Sequence, residues 1–299
     1  MNDSLAPHLD IALRHAPSGL TITRIPRVDI CVGQGTTGKA PCLYRSMVCF
    51  ILQGSKRVVL NDNILSYDSE QYLISALDLP LSGQIFDDEA GQPYVAVSLV
   101  LEPGILAELA AGMPPVRECE QKGIGIMINP MTASLCDTLF RLLSLLDTPE
   151  DIPILGLMLE RELLYRLLQG PQGRLLRQIA QPDGALSRIR RAVGWIRDNY
   201  RIRLRIEALC EVSGMSRASL HRHFLSMTGL SPVQYQKQLR LQEAHQLLLA
   251  GKYRASDVAF VVGYESASQF SREYLRQFGT PPARNIHEIR QTINASVIE

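Results

Sequence analysis

The 299-residue sequence predicts an α+β protein built from two domains. Three observations lead to this fold class: β-rich runs in the first hundred residues, leucine-rich helical patterns in the middle, and a helix-turn-helix pattern that occurs twice in the final third. The length favours two domains, since typical domains hold about 100–200 residues. Turn residues at Gly170–Gly173 and Gln181–Gly184 indicate the junction, so we place one domain at 1–182 and the other at 183–299.

The N-terminal domain begins as an all-β unit. Its runs are rich in β-branched and aromatic residues, and turn residues such as Gly54 and the Asn61-Asp62-Asn63 segment separate them. The runs are Leu20–Gly33, Leu43–Leu60, Ile64–Ala76 and Tyr94–Pro103. Several short strands with turns between them predict a sandwich or a small barrel.

A helical hairpin is predicted after the strands. Ile105–Met113 has a helical pattern, and two stronger helical segments lie on either side of the break at Thr148–Pro153. Short connections between such segments favour antiparallel packing. Five leucines share one face of the first segment: Leu135, Leu139, Leu142, Leu143 and Leu146. The leucine content exceeds what one core-facing stripe needs, which leaves both a dimer interface and ordinary core packing open.

The composition is that of an ordinary soluble protein, with 46% hydrophobic and 20% charged residues. The first residues lack the pattern of a signal peptide, and no apolar run approaches the roughly 18 residues of a membrane span. We therefore expect a cytoplasmic protein. Its six cysteines have no CxxC pairing, so we expect buried, reduced thiols.

Charge is distributed unevenly along the chain. Residues 185–299 contain 17 Lys and Arg against 9 Asp and Glu, a net charge of +8, whereas residues 1–184 contain 14 against 21, a net charge of −7. A basic segment attached to an acidic one indicates that the C-terminal part alone meets a polyanion.

The C-terminal third contains an internal repeat. A shift of 50 residues places Ser216 on Ser266, and it places Arg222 on Arg272. Each copy, at 206–229 and 256–279, reads as a short helix, a tight turn and a second helix, and Ser266 with Gln269 fits a capping box. This is the helix-turn-helix pattern, whose second helix enters the major groove of DNA.

A long helix is predicted between the two copies, over Pro232–Gly251. Roughly 18 helical residues span about 27 Å. Major-groove segments on one side of DNA recur every ~34 Å. A rigid spacer of this length is suited to holding two reading helices in adjacent groove segments.

The C-terminal third resembles the DNA-binding domain of the AraC/XylS family of bacterial transcription regulators. The resemblance is carried by Arg240–Leu249, Gly263–Gly279 and the Pro281-Pro282 pair. The N-terminal part resembles the regulatory domain of one subgroup of this family, through Pro41–Val58, Tyr72–Ile85 and Leu163–Ala180. One departure is visible, because Ala283–Ile286 stands where the family usually has Tyr-Arg.

The resemblance implies a cupin-like β-barrel with a helical hairpin, followed by an all-α domain in which a long helix joins two helix-turn-helix motifs. It implies a sequence-specific, ligand-responsive transcription regulator, and more specifically an activator. Its expected partners are double-stranded DNA, RNA polymerase, a small-molecule effector and a second copy of the chain. The alternative is a non-enzymatic interaction protein whose basic domain binds DNA with low specificity.

Candidate DNA-contacting residues follow from the helix geometry and from the positions the family uses. With Leu220 and Phe224 turned inward, the outer side of the first reading helix carries Ala218, His221 and Arg222. The equivalent positions of the second reading helix are Ala267, Ser268, Gln269 and Arg272. Arg can pair with guanine and Gln with adenine, although phosphate contact is the open alternative.

A catalytic role for the N-terminal domain is not expected. Metal-dependent cupins need histidine ligands, and the sequence has no histidine between His15 and His221. Since nucleotide-binding and hydrolase motifs are absent too, we predict no enzyme activity, no metal and no cofactor.

The same domain is expected to sense a ligand. Candidate pocket residues are Tyr44, Arg45, Arg57, Tyr67, Tyr72 and Tyr94, and surface packing is the alternative for each of them. A reactive thiol at Cys42 or Cys49 is a further alternative, which requires a lowered thiol pKa.

Overall fold

The computed structural model describes residues 5–35, 37, 40–60, 63–114, 125–251, 253–282 and 284. They form two compact units. The N-terminal unit extends to Arg190 and includes Ser226–Gly229, and the C-terminal unit holds Arg191–Leu225 and the residues from Leu230 onward. The turn positions Asn61 and Asp62, Cys119, and Ala283 with the residues from Asn285 lie outside the described residues.

The described residues of the N-terminal unit form ten strands. They are β1 (Gly19–Ile22), β2 (Val28–Gly33), β3 (Ala40–Tyr44), β4 (Met47–Gln53), β5 (Ser55–Leu60), β6 (Asn63–Asp68), β7 (Gln71–Ser75), β8 (Leu79–Phe86), β9 (Tyr94–Val100) and β10 (Ile126–Pro130). Six of them form one sheet in the order β1-β2-β9-β4-β7-β10, and four form a second sheet in the order β3-β8-β5-β6. All the pairings are antiparallel.

The two sheets face each other as separate layers, and neither closes on itself. The expected closure into a single cupin-like barrel is therefore not found among the described strands. Gly54 marks where the chain leaves one sheet for the other, with a φ of +77°. A Cβ at this position would press on the carbonyl oxygen of Phe86 and the backbone of Tyr94, so the crossing requires glycine.

Each predicted β-rich run contains strands, and three of the four contain two: β1 and β2, β4 and β5, and β6 and β7. The sequence analysis did not predict strands β8 and β10, and the run that begins at Leu43 misses most of β3. Strand β8 is interrupted by Pro80 and Gly83, residues that weaken a strand pattern. Strand β10 has only five residues and pairs with β7 at the sheet edge.

The N-terminal unit also contains helices α1 (Ala6–His15), α2 (Pro103–Ala111), α3 (Ala133–Ser144), α4 (Leu157–Gln169) and α5 (Gly173–Ala180). The predicted hairpin is α3 with α4. Arg166 Nε donates to Thr138 Oγ1 at 3.0 Å, and Arg141 donates to Glu162 at 2.9 Å. Because residue numbers rise on one helix while they fall on the other, the two helices are antiparallel, as predicted. One short 3-10 turn and one π-helical turn, over Pro149–Gly156, connect them.

An ion pair between a buried carboxylate and a half-buried guanidinium joins helix α4 to the turn before β2. Glu160 is 4% exposed, and Arg27 Nε donates to its Oε1 at 2.8 Å while Arg27 Nη2 contacts its other oxygen. Arg27 has a φ of +66°, a left-handed conformation that costs free energy in a residue with a side chain. The hydrogen-bonded carboxylate also raises the pKa of Arg27. The turn is thus held in a strained conformation that directs the guanidinium at Glu160.

Helix α6 (Ala185–Asp198) follows and continues into the C-terminal unit. The sequence analysis did not predict it, although Leu186, Ile189, Val193 and Ile196 recur at helical spacing and are buried. The remaining helices are α7 (Ile206–Ser213), α8 (Arg217–Thr228), α9 (Pro232–Leu249), α10 (Ala255–Val261) and α11 (Ala267–Phe278). Pairs α7–α8 and α10–α11 match the predicted helix-turn-helix copies, and α9 has the predicted 18 residues.

Helix α9 begins with a capping box, in which Ser231 and Gln234 bond reciprocally. The box predicted at Ser266 is only half present. Ser266 Oγ accepts from the backbone of Gln269, but the Gln269 side chain donates to Glu273. The helix begins with Ser231 at the N-cap and Pro232 at the first helical position. This pair is a helix-start signal, and the sequence analysis did not use it.

The turn of the second helix-turn-helix depends on Gly263. Its φ is +93°, and a Cβ there would overlap the carbonyl of Arg201. The loop around Arg201 is held by α9. Gln236 Nε2 donates to the carbonyl oxygens of Tyr200 and Ile202 at 3.0 and 2.7 Å, and Arg240 Nε donates to Tyr200 at 2.6 Å. Within the described ranges, every helix is too short or too polar to cross a membrane.

Candidate functional site

Helix α11 has one buried face and one exposed face. Phe270 and Tyr274 are 1% and 0% exposed, and they pack with Leu241, Ala244 and Val258 in one core cluster. The candidate residues Ser268, Gln269 and Arg272 are exposed on the other side, and Ala267 is half-buried at the start of the helix. The aromatic core therefore fixes which face of α11 points to solvent.

Helix α8 has the same arrangement. Leu220 and Phe224 are both 0% exposed, and the Phe224 ring meets the Tyr235 ring of α9 edge-on at 5.5 Å. Ala218 and Arg222 are exposed, and His221 is half-buried. All seven candidate residues thus lie on or beside the exposed faces of α8 and α11, which is the placement that DNA contact requires.

Glu273 organises the surface of α11, a role that the sequence analysis missed. It accepts from Tyr264 Oη at 2.8 Å and from Gln269 Nε2 at 3.3 Å, and it pairs with Lys237 at 2.8 Å. Burial alone would raise the pKa of Glu273, but these donors outweigh it and lower the pKa overall. The Gln269 amide is therefore engaged within the protein, while Arg272 extends into solvent.

In the N-terminal unit, three of the six candidate ligand residues meet between the sheets. Tyr44, Tyr67 and Tyr94 are each 1–2% exposed, and the Tyr44 and Tyr67 hydroxyls lie 3.3 Å apart. Burial raises the pKa of all three phenols well above the usual value. These residues come from β3, β6 and β9, so both sheets contribute to the cluster.

The other three candidates lie elsewhere. Tyr72 is buried on the opposite face of the six-stranded sheet, where its ring packs on Phe50 at 5.8 Å. Arg45 and Arg57 are exposed, and Arg57 covers the ring of Phe86. The prediction is therefore wrong in grouping these three with the interior tyrosines, because alternation along a strand sends neighbouring side chains to opposite faces.

Lys56 completes the interior cluster, and the sequence analysis did not select it. Its Nζ lies 4.8 Å from the centre of the Tyr44 ring and 6.0 Å from that of Tyr94. Lys56 alternates with the buried Val58 and Leu60 along β5, and this pattern was the available signal. We call the set Lys56, Tyr44, Tyr67 and Tyr94 the lysine–tyrosine cluster.

Three cysteines, Cys31, Cys42 and Cys49, line the same interior. Cys31 and Cys42 have thiol pKa values raised by burial, which the Lys56 ammonium offsets only in part. Raised pKa values keep these two side chains as thiols, and thiols are poor nucleophiles. A reactive Cys42 therefore finds no support in its surroundings.

Comparison with known proteins identifies two family models along the chain. Residues 24–175 match the N-terminal domain of AraC-type transcriptional regulators, and residues 209–285 match a helix-turn-helix domain. Among curated relatives, the transcriptional activator RhaS of Escherichia coli (strain SE11) is 29% identical over 109 residues, which is 36% of this chain and 38% of RhaS. The transcriptional regulator ExsA of Pseudomonas aeruginosa is 27% identical over 192 residues, which is 64% of this chain and 68% of ExsA. The chain thus spans less than two fifths of the length of RhaS.

The fold is similar to that of ToxT from Vibrio cholerae. An apo variant of ToxT superposes with a TM-score of 0.57 at 12% identity, covering 89% of this chain and 99% of ToxT. ToxT bound to an unsaturated fatty acid superposes with a TM-score of 0.54 at 11% identity, covering 87% and 94%. Because the N-terminal family model spans just over half of the 299 residues, the chain belongs to the family of AraC-type transcriptional regulators.

Proposed function

We propose that this protein is a sequence-specific DNA-binding regulator that activates transcription in response to a small molecule. The observation that carries the proposal is the pair of exposed polar faces on α8 and α11, each backed by a buried aromatic core. Both faces lie in the third of the sequence that has a net charge of +8. Positive charge supplies affinity for phosphate, and side chains on the faces supply contacts to bases.

We assign residues 183–299 to DNA binding and residues 1–182 to regulation. Within the first range, Arg222 and Arg272 are the strongest candidates for base contact, because a guanidinium can pair with both acceptors of guanine. Ala218, His221, Ala267, Ser268 and Gln269 complete the proposed contact set.

Arg272→Ala tests this assignment. We expect specific DNA binding to weaken by about 1–3 kcal/mol, with a relaxed preference at one or two base positions, since a bidentate contact is lost. The fold should stay intact, because Arg272 is exposed. Fluorescence anisotropy with operator and scrambled duplexes measures both affinities.

The matched control is Arg203→Ala, which removes the same charge from an exposed position outside α8 and α11. It should lower the affinity for both duplexes alike, through the loss of one positive charge. Equal binding by Arg272→Ala and the wild type would remove α11 from the interface. A wild type that prefers its operator by less than about 10³-fold would favour the low-specificity alternative.

The two facing sheets are the proposed cupin-like ligand-binding part. Support comes from the lysine–tyrosine cluster, which places polar groups in an otherwise apolar interior, as ligand sites commonly do. A structural relative, ToxT, has been crystallised with an unsaturated fatty acid. Activation through RNA polymerase is proposed because the RhaS relatives are named transcriptional activators.

We further propose that α4 mediates dimerisation. Ile154 and Met158 are 64% and 61% exposed, and Leu157 and Tyr165 add to the same apolar surface. Met158 and Tyr165, seven residues apart, lie along one side of α4, and Ile154 precedes them in the π-helical turn. Such a stripe of exposed apolar residues is typical of a protein–protein contact.

Met158→Glu is expected to shift the protein from dimer to monomer, because a carboxylate would be buried without a partner at the interface. Sedimentation velocity of the full chain measures the distribution. The control is Ile22→Glu, which changes an 80% exposed isoleucine on β1 and should leave the distribution unchanged. A wild type that is monomeric at every concentration would refute the interface.

A further inference from the structure

Lys56 places an ammonium group between two sheets of otherwise neutral side chains. It lies on the inward face of β5, and its Cε is 3.4 Å from where a Cβ of Gly83 would stand. The Tyr44 and Tyr94 rings lie beside its Nζ, one from each sheet. Cys31, Cys42 and Cys49 surround the same region, so the nearby groups are phenols and thiols.

Among the described residues, the groups that interact with the Lys56 charge are Tyr94 and three cysteines, and none of them is a carboxylate. Taking an ammonium group out of water without a counterion is costly, and cation–π contacts offset only part of that cost. Glu160 of the same unit illustrates the usual solution, since its buried carboxylate is paired with Arg27. These surroundings suit an ammonium group whose counterion is supplied by a bound molecule.

We propose that Lys56 binds the carboxylate of a small organic monoanion between the two sheets. The charge of the site indicates a monoanion, because one ammonium is present while Arg45 and Arg57 lie outside. The hydroxyls of Tyr44, Tyr67 and Tyr94 can donate to the carboxylate oxygens, and the buried Val58 and Ile51 offer apolar surface to the rest of the molecule. The inference rests on the proposed ligand-responsive function and names the chemical class of the effector.

The protonation of Lys56 distinguishes this proposal from covalent capture of an aldehyde. Burial lowers the pKa of Lys56, but the Tyr44 and Tyr94 rings beside its Nζ favour the ammonium, and the pKa is raised overall. The side chain therefore remains an ammonium at neutral pH. Schiff-base formation needs the free amine, whereas carboxylate binding needs the cation.

Isothermal titration calorimetry of the full chain tests the proposal with butyrate, hexanoate and octanoate. Hexanamide serves as the neutral analogue, and inorganic phosphate as the second anion. We expect at least one carboxylate to bind. Hexanamide and phosphate should bind at least about thirty-fold more weakly, as expected when a desolvated charge pair loses one partner.

The variant Lys56→Met should lose carboxylate binding by a similar factor, at least about thirty-fold. Its melting temperature without ligand should equal or exceed that of the wild type, since an unpaired buried charge has been replaced by an apolar side chain. The matched control Arg57→Met, one residue along β5 on the outer face, should bind the carboxylate as the wild type does.

Three results would overturn the proposal: no carboxylate binds, hexanamide binds as tightly as hexanoate, or Lys56→Met keeps its affinity. Phosphate binding equal to that of hexanoate would refute the monoanion assignment. Calorimetry is carried out without DNA, and operator affinity is measured separately on the same preparations. A protein that binds its operator but no carboxylate therefore refutes this inference alone, and one that binds carboxylate but no DNA refutes the proposed function.

Discussion

Phe270→Ala is expected to lower the free energy of unfolding of the C-terminal unit by about 3–5 kcal/mol. The Phe270 ring is 1% exposed and lies 5.4 Å from the Tyr264 ring and 5.5 Å from the Tyr274 ring. Truncation removes buried apolar surface and leaves a cavity that two rigid aromatic neighbours cannot fill. Urea titration followed by fluorescence measures the effect, because the single tryptophan, Trp195, lies in this unit.

The control for this prediction is Leu275→Ala on the same helix. Leu275 is 42% exposed, so its truncation should cost much less than that of Phe270. Comparable losses in the two variants would show that α11 does not bury the face described here. Together with Arg272→Ala, the series separates loss of folding from loss of DNA contact.

Arg27→Met is expected to destabilise the N-terminal unit by about 3–5 kcal/mol at neutral pH, because the Glu160 carboxylate would remain buried without its partner. Methionine retains the length of the side chain and the strained φ at this position, so the change isolates the charge.

The double variant Arg27→Met with Glu160→Leu is expected to regain most of the lost stability, since two apolar side chains replace a buried ion pair at little net cost. Far-ultraviolet circular dichroism in urea follows the unfolding. An exposed pair supplies the comparison: Arg45 lies 3.9 Å from Asp29 and its side chain is 59% exposed, so Arg45→Met should cost at most about 1 kcal/mol. A double variant as unstable as Arg27→Met would contradict the unpaired-charge explanation.

The helices of the C-terminal unit could be predicted from sequence because their signals are local. Capping serines, aromatic residues at four-residue spacing and terminal glycines such as Gly279 act within one or two turns. The 50-residue repeat then predicted how these helices are arranged, because each copy of the helix-turn-helix pattern supports the assignment of the other. The role of Glu273 was not predicted, because its three partners come from α9, α11 and the turn before α11. Only the folded chain brings these segments together.

The interior of the N-terminal unit was harder to predict, because strand pairing is non-local. Tyr44, Tyr67 and Tyr94 lie between the sheets, but nothing local to Tyr72 shows that its strand turns this side chain to the opposite face of the sheet. Lys56 was overlooked because lysine usually indicates a solvated position. Its alternation with Val58 and Leu60 was the better guide. Sheet closure cannot be read from single strands, since it depends on pairing between distant segments.

Helix α9 is shared by both helix-turn-helix motifs, and this has a consequence for the DNA that the protein would recognise. Its Tyr235 packs against Phe224 of the first motif, and its His245 bonds Tyr274 of the second at 2.8 Å. The two reading helices therefore cannot slide apart without breaking both cores. Base substitutions within either half of the binding site should lower the affinity of the protein for that site step by step. Inserting about five base pairs between the halves turns them to opposite sides of the duplex, given a repeat of about 10.5 base pairs. A change in the spacing between the two halves should thus reduce binding far more than a base change within either half.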